Sequence, residues 1–199
     1  MADDYDKSYS NIPDLFGSEP ESTLVKFHHN LDRKLPILDV GGGQGRNAFF
    51  LAQKGYDVEV LDPSEVALDE VRQTAAKANL EITTLLGGFS DRAIPEGARY
   101  SGVLVYGLIQ ILTWPQIDEL LRLLAEWTAP SGLVWLTGFS TEDARFVTHD
   151  ANPEGWTKIG RNSFRSTDSM IRTYLEPGEL RSLFRDWETL HYWEGLGPE

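Results

Sequence analysis

The stretch Ile37-Leu38-Asp39-Val40-Gly41-Gly42-Gly43-Gln44-Gly45-Arg46-Asn47 decides the fold. Its first four residues follow Pro36 and form a short, mostly apolar run that ends in glycines, a pattern that suits a buried strand. Beyond Gly45, the residues Ala48, Phe49, Leu51 and Ala52 fall at helical spacing until Gly55, which stands where a helix C-terminal cap is expected. A strand that turns through glycines into a helix is the opening unit of a doubly wound sheet, which binds nucleotides at its carboxyl edge. The glycines do not match the dinucleotide pattern Gly-x-Gly-x-x-Gly, because Gly41 and Gly43 fit but the third position is Arg46. The spacing is Gly-x-Gly-x-Gly, with Asp39 two residues ahead. A carboxylate there repels a pyrophosphate and attracts an ammonium group.

Outward from this loop, strands and helices alternate. Val58 to Leu61 reads as a second strand closing on Asp62-Pro63, and Ser64 caps a helix carrying Val66, Leu68, Val71 and Ala75. Ile82 to Leu86 and Val103 to Tyr106 read as the third and fourth strands. Thr113-Trp114-Pro115-Gln116 has capping-box spacing before a helix with Ile117, Leu120, Leu121, Leu124 and Trp127. Gly132 to Phe139 is a fifth strand, Pro177 opens a helix with Leu180, Leu183, Phe184 and Trp187, and a sixth β segment is expected near Glu188 to Trp193. Such alternation implies right-handed crossovers and a mostly parallel sheet covered on both faces. No linker divides the chain, so residues 1–199 are expected to form a single domain with a leader or cap at 1–33. Residues 140–172 are too long for a plain connection and are expected to be an insertion, either a lid or a substrate-selecting loop.

Composition excludes several classes. The 199 residues suit one α/β domain, and the chain has no cysteine, which removes disulfide frameworks, thiolate metal sites and cysteine nucleophiles. The 18 Lys and Arg against 31 Asp and Glu leave a net charge of −13, which opposes binding to a nucleic-acid backbone. No run approaches the length of a membrane span, and the start Met1-Ala2-Asp3-Asp4 lacks signal-peptide character, so no membrane partner and a cytoplasmic location are expected. The four histidines show no metal-ligand spacing, so no metal is expected: His28 and His29 are adjacent, and His149 and His191 are isolated.

A second acid, Asp62, ends the second strand 21 positions after Gly41, where a carboxylate accepts ribose hydroxyls. Two acids and a glycine loop in this register suit S-adenosylmethionine, which carries an amino group and a sulfonium. Here the sequence resembles the class I S-adenosylmethionine-dependent methyltransferases, in particular their tellurite-resistance (TehB-like) branch and relatives that methylate thiols, halides or chalcogen oxyanions. The likeness rests on residues 37–47, on Gly55-Tyr56-Asp57-Val58-Glu59-Val60-Leu61-Asp62, and on Tyr174-Leu175-Glu176-Pro177-Gly178-Glu179-Leu180 with the Trp187 that follows. It implies a Rossmann-like, doubly wound, mostly parallel sheet. The family's C-terminal antiparallel strand has no counterpart before Glu199, nor has the His-Arg pair that precedes it.

The resemblance also implies site roles. Asp39 and Gly41, Gly42, Gly43 and Gly45 would hold the methionine moiety, Asp62 the ribose, and Phe89 and Ser90 the adenine. Tyr106 and Gly107 would lie beside the sulfonium, and Arg46, Asn47 and Pro63 complete the cofactor set. Position 42, often Cys in relatives, is expected to tolerate that difference because the loop is lined by backbone. The acid that often ends the third strand is absent at Gly88, and Asp91 is the nearest substitute. On the acceptor side the candidates are Tyr5, Tyr9, Phe16, Trp156, Phe164, Arg165, Arg172 and Tyr174, with Arg172 and Tyr174 facing the same way on an extended segment. The catalytic candidates are Tyr106, Arg172, Tyr174 and His149, the last as a general base. The expected activity is methyl transfer to a small-molecule acceptor by in-line displacement, giving S-adenosylhomocysteine, in a monomer or homodimer. A cofactor-binding protein without turnover, a protein methyltransferase and an NAD-dependent oxidoreductase stay open as alternatives.

Overall fold

The computed structural model describes residues 2–12, 14–91, 93–151 and 155–195, with side chains from residue 6 onward. In chain order the elements are α1 (Ala2–Asn11), α2 (Ser22–Phe27), β1 (Ile37–Val40), α3 (Arg46–Gln53), β2 (Val58–Asp62), α4 (Glu65–Ala78), β3 (Thr83–Leu86), β4 (Tyr100–Val105), α5 (Trp114–Trp127), β5 (Thr128–Leu136), β6 (Phe139–Ser140), α6 (Ala144–Asp150), β7 (Trp156–Gly160), β8 (Ser163–Ser166), β9 (Ile171–Leu175) and α7 (Glu179–Leu183). Short 3-10 turns cover His28–Asn30 and Ile109–Ile111. The residues group into two compact units, one of Met1–Tyr106 with Arg122–Leu136 and one of Gly107–Leu121 with Thr137–Glu199.

The first unit holds a five-stranded parallel sheet in the order β3-β2-β1-β4-β5. Every residue of β1 and β4 is buried, as expected of strands covered on both faces. The core gathers Leu24, Leu31, Ile37, Leu51, Val58, Val60, Leu68, Val71, Leu104 and Trp135. Local signals set the boundaries. Gly55 (φ +80°) follows α3, its N–H donating to Ala52 O and that of Tyr56 to Leu51 O, the paired bonds of a Schellman stop. Ser64 Oγ caps α4 by accepting from Ala67 N at 3.1 Å, and Asn79 ends it in the left-handed region. At the start of α5, Gln116 Oε1 accepts from both the N–H and the hydroxyl of Thr113.

The strand order reverses between β2-β1 and β4-β5, so the crevice at the carboxyl ends of β1 and β4 is the position where a doubly wound sheet takes its ligand. Asp39 and Tyr106 flank it.

The second unit holds a four-stranded sheet in the order β6-β9-β8-β7. Two expectations change here. Residues 140–172 are not a loop: after α6 they form the antiparallel run β7-β8-β9, whose pairing supplies the backbone bonds a long insertion needs. Residues 188–193 form no strand. Leu190 and Trp193 are 54 % and 44 % exposed, and β-prone residues without a paired, buried face do not make a strand.

Gly102 in β4 tests the packing. A Cβ there would stand 2.6 Å from Leu31 Cδ2 and 3.2 Å from Trp135 Cζ3. Gly102→Ala is expected to lower stability by about 1–3 kcal/mol, the usual cost of overfilling a core, measured by urea unfolding with an unchanged m value.

Candidate functional site

The glycine loop is built by close approach. Gly41, Gly43 and Gly45 have φ of +69°, +53° and +84°, and Gly41 N donates to Leu61 O at 2.7 Å, drawing the chain across the end of β2. Gly42 has ordinary φ but no room: a Cβ would stand 2.8 Å from Val60 Cγ1 and 3.0 Å from both Asp39 Cγ and Oδ2. Position 42 is therefore not tolerant of a side chain in this protein, because the loop folds back onto the acid two strands of chain have buried.

The two predicted acids are both interior. Asp39 is 2 % exposed and Asp62 4 %. Asp62 is well satisfied, with Oδ2 accepting from Gly43 N at 2.8 Å and Oδ1 from Ser64 N at 2.9 Å. Burial raises its carboxyl above the usual range, these two N–H bonds oppose the shift, and nearby Asp6 adds to it. Asp39 lacks such support. Its Oδ2 is buried without a hydrogen-bond partner. Burial first, and the charge of Asp62 second, push its carboxyl up to about 7, with Arg46 pulling the other way.

The N-terminal segment lies over this loop, a relation no local sequence signal announces. A Cβ on Gly43 would meet the Tyr9 hydroxyl at 2.8 Å, which puts Tyr9 beside the cofactor loop, although the sequence pointed it to the acceptor side. Gln44, unassigned in the sequence reading, accepts from Leu15 N at 2.8 Å and donates to Ile12 O and to Glu70 Oε2. Arg46 pairs with Glu21 and reaches Glu19 O, while Asn47 Oδ1 accepts from Glu21 N at 3.0 Å. The side chains of Arg46 and Asn47 thus hold the leader in place over the loop. Asp6 accepts from Ser64 Oγ. The side chain of Tyr5 lies outside the described residues.

The remaining predicted residues divide between the two units. In the first, Pro63 follows Asp62 directly, and Phe89 is partly buried in the turn after β3. Ser90 is exposed, and Asp91 Oδ2 accepts from Gly88 N at 2.7 Å, which commits that oxygen to the turn. Tyr106 shares a hydrogen bond with Thr23 Oγ1 at 2.9 Å, and burial raises its phenol well above the usual value. In the second unit, Gly107 (φ +72°) donates its N–H to Thr137 Oγ1 at 2.9 Å. There His149, Arg172 and Tyr174 come together. His149 Nδ1 lies 2.9 Å from the Tyr174 hydroxyl, and its ring rests on Trp156 at 4.2 Å between centroids. Phe139, Phe146 and Phe164 surround Tyr174. Burial, then the charges of Arg172 and Arg145, lower the His149 pKa, so it is neutral at pH 7. The three are 23 to 25 positions apart or closer in sequence and meet because α6 packs on the β7-β8-β9 run.

Comparison with known proteins agrees with this geometry. A family model described as a methyltransferase domain matches residues 37–132, from β1 into β5. The probable S-adenosyl-L-methionine-dependent methyltransferase TehB of Haemophilus influenzae is 26 % identical over 162 residues, 81 % of this chain and 49 % of that protein. Hemagglutinin 1 of Eikenella corrodens is 27 % identical over 160 residues, 80 % of this chain and 46 % of that protein. The chain spans about half the length of these curated relatives. The crystal structure of TehB from Haemophilus influenzae superposes with a TM-score of 0.68 at 23 % identity, covering 89 % of this chain and 54 % of that one, and shares its fold. Over residues 37–132 the chain matches a methyltransferase domain, and along most of its length it is similar to S-adenosylmethionine-dependent methyltransferases of the TehB type.

Proposed function

We propose that the chain binds S-adenosylmethionine and transfers its methyl group to a small-molecule acceptor, an oxyanion, thiol or other small heteroatom nucleophile. The observation that carries this reading is the orphaned Oδ2 of Asp39, buried at the carboxyl end of β1 beneath a loop that has no room for a Cβ at Gly42 or Gly43. A buried carboxylate without a partner is costly. A cationic ligand group relieves that cost, and a phosphate aggravates it.

The residues present fit the cofactor. Asp39 suits its amino group, the glycine loop its methionine chain, and Asp62, whose oxygens each keep a lone pair beyond the bonds from Gly43 and Ser64, the ribose hydroxyls. When bound, the cofactor supplies an electrophilic methyl group on a sulfonium. The protein's part is to align an acceptor lone pair with that carbon and, for a protonated nucleophile, to remove a proton. Within the second unit, His149 bonds Tyr174 beside Arg172, and its lowered pKa gives it the neutral form that a proton acceptor needs. Among the described residues no helix is long and apolar enough to cross a membrane.

Calorimetric titration with S-adenosylmethionine, with NAD as the control, tests the reading: micromolar binding of the first alone is expected, and tight NAD binding alone overturns it. Asp62→Ala should weaken cofactor binding by about 1.5–3 kcal/mol through loss of charge-assisted hydrogen bonds, and an unchanged affinity would remove the ribose assignment. The raised pKa of Asp39 makes binding pH-dependent. Pairing with an ammonium favours the carboxylate, so affinity should fall as pH drops below about 7, approaching tenfold per unit for one linked proton. Titrations between pH 5.5 and 8 check the slope.

Stability has the opposite sign. The folded state holds the Asp39 proton up to about 7, whereas the unfolded chain loses it near 3.8, so this contribution is complete below the lower value and lost as pH rises through the upper. Asp39→Asn should therefore raise the melting temperature more at pH 8 than at pH 5.5 while weakening cofactor binding.

A further inference from the structure

Among the described residues two buried side-chain atoms lack a hydrogen-bond partner: Asp39 Oδ2 and Gln110 Oε1. Native folds pair such atoms, and an exception marks a group kept for something other than stability. A cationic ligand accounts for Asp39. Gln110 has no such account so far.

Gln110 lies in the 3-10 turn Ile109–Ile111, between the core residues Ile109 and Leu112, where an apolar side chain would be the stabilising choice. Its amide nitrogen faces Gly107. A Cβ built on Gly107 would have Gln110 Nε2 at 3.6 Å as its sole neighbour within 4 Å, so the space around this glycine is otherwise open. Gly107 is exposed, and its φ of +72° disfavours any side chain that would screen the amide. The N–H of Gly107 is already given to Thr137 Oγ1. What the turn offers a docking molecule is therefore the Gln110 amide, a neutral donor pair on a side chain whose other end is bonded to nothing.

We infer that Gln110 is a specificity-determining residue for the acceptor, donating through Nε2 to a lone pair on a small molecule that docks at Gly107. The class it selects is one that accepts hydrogen bonds without offering them, an oxyanion or thiolate. An amide suits this role because it binds an anion without the cost of burying an uncompensated charge. This rests on the methyl-transfer reading and narrows its acceptor.

The test compares the parent chain with Gln110→Met, which keeps the size and loses the polarity, and Gln110→Glu, which keeps the size and replaces the donor by a negative charge. S-adenosylhomocysteine release is followed with sodium selenite as the anionic acceptor and 2-mercaptoethanol as the largely protonated one, alongside S-adenosylmethionine affinity and melting temperature. The expected result is a KM for selenite raised about tenfold in Gln110→Met and further in Gln110→Glu, a smaller change for the thiol, and unchanged cofactor affinity. Gln110→Met should also melt higher than the parent, because it removes an unsatisfied oxygen. Unchanged selenite KM in both variants, or a lower melting temperature for Gln110→Met, overturns the inference. If the parent binds cofactor but releases no product with either acceptor, the methyl-transfer reading falls. The melting comparison then decides Gln110 alone, a rise supporting a role outside the fold and a fall rejecting it.

Discussion

Two carboxylates carried into the interior at the ends of adjacent strands are the constraint around which the first unit is arranged. The charge of Asp62 on β2 adds to the cost of ionising Asp39 on β1, Asp6 adds to that of Asp62, and among the described residues neither acid has a cation within hydrogen-bond reach. Asp62 is tolerated because the backbone of Gly43 and Ser64 solvates it. That solvation requires the chain after β1 to turn back sharply, which requires positive φ at Gly41 and Gly43 and leaves no space for a side chain at Gly42. The loop conformation, the entry to α3 and the cap of α4 all follow from housing one buried charge. Asp39 is left as the group whose environment is incomplete.

The leader is organised by the same loop. Gln44, Arg46 and Asn47 project from the turn and the start of α3, and their polar groups take up backbone N–H or C=O groups of Ile12, Leu15, Glu19 and Glu21. A segment with few backbone bonds of its own is thereby held by side chains from the element it covers. Residues that looked like cofactor contacts because they follow the glycines serve, through their side chains, to fasten a covering segment.

Most of the parallel sheet was legible in advance. The β1-loop-α3 unit, the Ser64 cap, the Gly55 stop and the Thr113-Gln116 capping pair are local devices, each written in a few consecutive residues. The second unit was not legible in the same way. From residue 140 onward glycine and polar residues mask three strands, β7, β8 and β9, whose pairing depends on partners up to ten residues away. The apolar residues of 188–193 suggest a strand, and among the described residues no neighbouring strand takes them up.

By itself, the sequence determined the class of fold, the place of the glycine loop and the two acids at the ends of β1 and β2, because glycine geometry and strand ends are properties of short segments. Tertiary structure alone decided that Asp39 would be left without a partner, that Tyr9 would stand over Gly43, that His149 would meet Tyr174, and that Gln110 would present its nitrogen and strand its oxygen. Each of these is a contact between residues distant in the chain or a burial set by several elements at once. Such facts depend on packing, which no single stretch of residues encodes.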